Sequence, residues 1–349
     1  MEIVALLLFL FIFILILFGF PVAFTMAGLS VIVGSIFLGV DFFYLLPSRF
    51  MGVMGNQVLI AVPLFIFMGL MLEKSGIAEK LLESMAVLFG RLRGGLAISV
   101  IVVGSLLAAS TGIVGATVVT MGLISLPTML KWNYSPELAS GTIASSGTLG
   151  QIIPPSVVLV LLGSVLNVSV GDLFAAAVIP GILLIGAYII LVLFWAGIYP
   201  KAAPALPKEY LKQKKAERYY RQLFISFLLP LLLIVAVLGS IFAGIASPTE
   251  AAGVGALGAI ILTIGQRRMN WKVLNKVMSG TTHLTAMVFM ILLGASTFSL
   301  VFRGMGGDQL LIEWLTNSQL GPYGFLLLVM AIVFVSGFFI DFIEIIFIF

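Results

Sequence analysis

Charge, histidine and cysteine are what this chain has least of. Of its 349 residues only 9% are charged, none is cysteine, and His283 is the one histidine. Without cysteine there is no disulfide framework and no thiolate metal site. One histidine, and no His-Glu-x-x-His pattern, leave neither a base for a nucleophile nor a ligand set for a catalytic metal, which argues against an intramembrane enzyme. The short alternating segments of a membrane β-barrel are missing. The apolar run 3–18 lacks the basic flank and the small-residue cleavage site of a signal peptide, so it reads as a first span. What the chain does have is apolar bulk: 61% hydrophobic residues and a mean hydropathy of +1.25. In such a chain the formal charge of +4 is a matter of location, and no nucleic-acid partner is expected.

These features define an all-α polytopic membrane protein embedded in a lipid bilayer. Apolar segments fall at about 3–18, 22–38, 57–72, 96–130, 138–165, 174–198, 222–243, 249–265, 282–302 and 323–349, the fourth and fifth being interrupted. The longest polar stretch, 199–221, holds seven basic residues against Glu209 and Glu217 and reads as a solvated cytoplasmic linker. It also separates two halves that resemble each other. Pro21 and Gly28 recur as Pro248 and Gly255, an offset of 227, and Gly76 recurs as Gly306, an offset of 230. Basic residues crowd the 73–95 connection in the first half but the 266–281 connection in the second. With the basic connections inside, the N-terminus is periplasmic and equivalent segments run in opposite directions, the mark of an inverted-repeat transporter. The expected organisation is a first repeat over 1–198, the linker 199–221 and a second repeat over 222–349. A second Gly/Pro-Pro break is expected near 379–384, so the second repeat is expected to be incomplete at its C-terminus. Residues 73–93 are amphipathic, with Leu81, Leu82, Met85, Leu88 and Phe89 on one face, and suit either the membrane interface or a plain connector.

The rest of the chain is organised around 104–156. Ser110, Thr111, Gly112 and Gly115 interrupt one apolar segment, and Ser145, Ser146, Gly147, Thr148 and Gly150, followed by Pro154 and Pro155, interrupt the next. Proline removes a helix donor and glycine weakens a helix interior. Non-helical backbone survives at membrane depth only when packed in protein or lining a cavity. Two close breaks therefore point to a binding site, where freed carbonyls suit a cation such as sodium and helix N-termini suit a carboxylate. The blander alternatives are small-residue helix packing for the first cluster and an empty proline kink for the second. Asp341 and Glu344 lie deep in an apolar run and need a partner, a cation or a proton; a cation or substrate role is expected for Asp341. Glu137 after Ser135-Pro136, and Glu250 in Ser247-Pro248-Thr249-Glu250, read as helix-start residues. His283 reads as interfacial.

The motifs GFPVAFTMAG (19–28), AVPLFIFMG (61–69), ASSGTLGQIIPPS (144–156), Ile179-Pro180-Gly181 at the start of a span, SPTEAAGVGA (247–256) and GFFIDFIEIIF (337–347) run in order across the chain. Together they resemble the large membrane subunit, DctM type, of tripartite ATP-independent periplasmic (TRAP) transporters. The resemblance implies an elevator fold related to the ion-transporter superfamily, with re-entrant hairpins enclosing the site. It implies sodium as coupling ion with no other cofactor, and a small carboxylate substrate such as a C4-dicarboxylate. The implied partners are a DctP-type periplasmic binding protein and a DctQ-type small membrane subunit, in the bacterial inner membrane. A standalone sodium/dicarboxylate symporter of related fold is the alternative. A channel would not need paired broken hairpins.

Overall fold

A computed structural model describes residues 1–111, 114–216, 219–317, 321–340 and 342–348. Among them there are helices and turns but no strand. The first apolar runs form α1 (Glu2–Leu17) and α2 (Val22–Phe37), then a 3-10 turn over 40–45 and α3 (Leu46–Met54). A second 3-10 turn leads into α4 (Ala61–Lys74), followed by α5 (Ile77–Phe89). The pair α6 (Gly95–Thr111) and α7 (Val114–Lys131) precedes α8 (Pro136–Thr148), α9 (Val157–Leu166) and the long α10 (Val170–Ile198). After α11 (Lys208–Ala216) come α12 (Tyr219–Phe242), α13 (Pro248–Gly265), α14 (Trp271–Gly304), α15 (Gly307–Asn317), α16 (Pro322–Ser336) and α17 (Phe342–Ile348).

Among the described residues five helices are long and apolar enough to cross a membrane, α10 and α14 being the longest. Their outer surfaces are what a bilayer requires. On α10, Leu183, Ile190 and Phe194 are each more than 60% exposed, an apolar surface that water would not tolerate.

Three polar connections turn out to be partly helical. The 39–56 segment folds as the 3-10 turn and α3, 73–95 contains α5, and α14 starts at Trp271, so Lys272 and Lys276 stand on a helix. Pro180-Gly181 does not start a span. It lies in the interior of α10, which begins at Val170 behind the Ser169 cap, because a membrane helix tolerates an internal proline. The 199–221 stretch is not simply solvated either. Ala203, Leu206 and Leu211 are buried with α5 and α6 residues, Gly94 N donates to Ala203 O (3.0 Å), and Leu206 N donates to Gly90 O (2.8 Å). Its apolar side chains sink into the cluster while Lys201, Lys208 and Lys212 stay exposed. On α5 the apolar face buries Leu81, Leu82 and Met85 in that same cluster, but Leu88 is 44% exposed.

The chain divides into two compact units, 1–56 with 284–349, and 57–283, and α14 runs through the division. The first unit is built on Ala5, Leu8, Ile12 and Met26 against Phe298 and Val301. There α1 packs on α2 and α15, Gly34 of α2 sits against Val301 of α14, and Gly294 of α14 sits against the backbone of Ala23. In the second unit α12 packs on α13 and α5, and α13 lies along α4 with Gly255 against Met68. The two sets of pairings match once residues are shifted by about 228. Helices α1, α2 and α15 correspond to α12, α13 and α5, and the second part of α14 to α4. Left-handed backbone recurs at the same spacing, at Gly39 (φ 85°) and Arg267 (φ 55°), and at Gly76 (φ 72°) and Gly306 (φ 81°) ahead of α5 and α15.

Candidate functional site

Helix α8 starts as its sequence dictates. Ser135 caps it, accepting from Leu138 N (3.3 Å), Pro136 takes the first helical position, and Glu137 sits in the first turn. The helix ends at Thr148 in a short 3-10 turn over 149–151, and α9 begins only at Val157. Between them Pro154 and Pro155 are buried, joined by a cis bond. Ser156, fully buried, donates its hydroxyl to Gln151 O (2.7 Å) across the gap. Polar backbone inside an apolar bundle is thus partly satisfied by a side chain.

The residues of the second cluster divide into two groups. Ser146, Gly147 and Gly150 face the α6–α7 pair. Ser146 is fully buried and donates to Ile143 O (3.0 Å), and a Cβ on Gly104 of α6 would stand 2.6 Å from its side chain. Gly147 lies on Val118 of α7, and Gly150 lies on the backbone of Ala108. This seam is small-residue packing that brings two helices into close approach. Ser145 and Thr148 turn elsewhere. Ser145 is half-buried beside a cavity of about 980 Å³ between α8 and α10. Thr148 is exposed and donates to Ser145 O (2.8 Å).

Of the first cluster, Gly115 is exposed, with open space around it. The side chains of Ser110 and Thr111, and Gly112 altogether, lie outside the described residues. So do Asp341 and the side chain of Glu344. The residues before Asp341 leave helix at Ser336 and pass through a turn in which Ile340 N donates to Ser336 O (3.0 Å); they belong to the other compact unit. Glu250 forms a complete capping box with Ser247, its carboxylate accepting from Ser247 N (2.8 Å), and Thr249 donates to Gln57 O (2.9 Å). His283 is exposed on α14, its ring against Ser279 O (2.8 Å).

Sequence reasoning missed the other side of the seam. Gly104 and Ala108 form a small-xxx-small pair on α6, a signal that was present but indistinct among so many small residues. It also missed Glu73 at the end of α4. Its carboxylate accepts from Thr120 of α7 (3.1 Å) and pairs with Lys74 (2.7 Å), while Oε2 is buried and has no partner among the described residues. Tyr134, buried between α7 and α8, accepts from Leu96 N (3.2 Å) at the start of α6, and burial pushes its phenol up to about 12. Among the described residues no cluster of His, Asp and Glu could hold a metal ion, and the seam residues carry no charge.

Long apolar helices, with an interruption between α8 and α9 packed on the α6–α7 pair, define a multi-pass helical membrane protein. The family model described as "Tripartite ATP-independent periplasmic transporter, DctM component" matches residues 9–349, and the chain belongs to that family. It is 33% identical to the C4-dicarboxylate TRAP transporter large permease protein of Pseudomonas aeruginosa, over 82% of this chain and 65% of that protein. It is 30% identical to the ectoine TRAP transporter large permease protein of Halomonas elongata, over 93% of this chain and 74% of the relative. The sialic acid TRAP transporter large permease protein of Vibrio cholerae is 28% identical over the same shares. The chain spans 65–66% of the length of the C4-dicarboxylate relatives it matches. The family is one of transporter subunits, not enzymes.

Proposed function

We propose that this chain is the substrate-translocating subunit of a sodium-coupled TRAP importer in the inner membrane. It works with a small membrane subunit and receives a small organic acid from a periplasmic binding protein. The observation that carries the reading is the gap between α8 and α9, held on the α6–α7 pair by Ser146, Gly147 and Gly150. The C-terminal end of α8 offers partial negative charge to sodium, and the start of α9 offers partial positive charge to a carboxylate. To the same site we assign Ser110, Thr111, Gly112 and Gly115 as ligands from the first cluster, and Asp341 as a cation or substrate ligand of the second repeat.

The two repeats, 1–198 and 222–349, are inverted copies joined by a cytoplasmic linker, and the α6–α9 region moves across the bilayer as an elevator. Matching pairings within the two units and the recurring left-handed positions support the duplication. Relatives named for a C4-dicarboxylate, ectoine and sialic acid support a carboxylate substrate, since all three carry that group. The test is uptake in proteoliposomes with both partners. Replacing Ser146 and Thr148 together by Ala raises the sodium concentration needed for half-maximal uptake; an unchanged sodium dependence overturns the site.

A further inference from the structure

The cavity between α8 and α10 has a polarity of its own. Along its length it is walled by Tyr188, Leu191 and Trp195 of α10 and by Leu138, Gly141 and Ser145 of α8. Its charged groups gather at one end, where a backbone bond from Ser135 N to Ala202 O (2.9 Å) ties the start of α8 to the chain leaving α10. There Glu137 and Lys201 stand exposed, and neither forms an ion pair among the described residues. The rings of Trp195 and Tyr199, 4.9 Å apart, flank the same end. An apolar trough in a membrane-spanning wall, with aromatic rings and opposite charges at its mouth, fits an amphiphile with a zwitterionic head.

We infer that the α8–α10 cavity is a phospholipid site selective for phosphatidylethanolamine. The lipid phosphate pairs with Lys201 and the Ser135 hydroxyl. Its primary ammonium, which has three protons to donate, pairs with the Glu137 carboxylate. One acyl chain runs along Leu191 and Tyr188 toward Ser145, filling the side of α8 that the α6–α7 pair leaves open. Phosphatidylcholine cannot donate to Glu137, and phosphatidylglycerol brings no cation to it. Ser145 alone is shared with the cluster of the proposed sodium site, and only as apolar-chain wall; the groups that select the headgroup, Glu137, Lys201 and Ser135, are separate from it, so the inference stands whether or not the transport reading does.

The test keeps Trp195 as the sole tryptophan, replacing Trp132, Trp271 and Trp314 by Phe. The protein is placed in phosphatidylcholine nanodiscs containing a minor fraction of brominated phosphatidylethanolamine, and tryptophan quenching is read. Trp195 is quenched several-fold more than by brominated phosphatidylcholine at the same fraction. Glu137→Gln and Lys201→Gln, both at exposed positions, each weaken the excess quenching about fivefold, the loss of about 1 kcal/mol of one charged contact. A Cβ on Gly141 meets no atom within 4 Å, so Gly141→Leu fills the trough without a clash at its Cβ and abolishes the excess. Native mass spectrometry of the unaltered protein shows phosphatidylethanolamine retained through delipidation. Equal quenching by the two brominated lipids overturns the inference, as does preference for phosphatidylglycerol, an unaffected Gly141→Leu variant, or displacement of the lipid by a C4-dicarboxylate.

Discussion

At the scale of single residues the molecule turns on missing side chains. A Cβ at Gly150 would run into the backbone of Ala108, which has no flexible end to move aside. Gly150→Ala therefore destabilises by about 1–3 kcal/mol, the usual overpacking cost, and lowers the thermal midpoint in detergent. Gly104→Ala meets a softer obstacle, the Ser146 side chain. Adding Ser146→Gly to it restores most of the lost stability, and the double-mutant cycle shows a coupling of about 1 kcal/mol; strictly additive effects would mean that the seam relaxes elsewhere. Much at this scale was legible. The Ser135 and Ser247 caps follow from residue type and spacing, and the structure has both. Packing direction was not legible: nothing in Ser145-Ser146-Gly147-Thr148 says which two residues turn to α6–α7 and which two turn away. That is decided by the helix phase at which α8 meets its neighbours.

At the scale of elements, most apolar runs became helices within a few residues of the expected bounds, because apolar length dominates in a membrane. The connections were the weaker part. Charge made 199–221 and 266–281 look like loops, yet α11 and the start of α14 occupy much of them, whereas the amphipathic pattern of 73–93 already allowed the helix that α5 is. A few apolar residues, Leu81 and Leu211 among them, are enough to dock such segments. The contact between Glu73 and Thr120 joins α4 to α7 and had no motif to announce it. In an elevator motion the α6–α7 pair parts from α4. A Glu73→Cys, Thr120→Cys pair, introduced into a chain without native cysteine, then cross-links with a short bis-maleimide and stops uptake, while each single variant treated alike keeps it. Full uptake by the cross-linked protein would mean that α4 and α7 travel together.

At the scale of the whole molecule, a near-constant offset between the two halves of the sequence points to a duplication, and the compact units cut across those halves. Each unit draws helices from both halves of the sequence, and each repeats the other's pairings. A sequence offset does not record which faces meet, so the grouping of helices from both halves into each unit was not readable. The central claim is that the broken α8–α9 segment and the hairpin beside it hold sodium. The most direct measurement is the thermal midpoint of the purified protein as sodium replaces choline at constant ionic strength. A ligand bound only by the folded state raises stability with the logarithm of its concentration above its dissociation constant. The account predicts a saturable binding isotherm and a rising midpoint in sodium, with the rise shifted to higher concentration in the Ser146→Ala, Thr148→Ala double variant. Coincident curves in sodium and choline would contradict it.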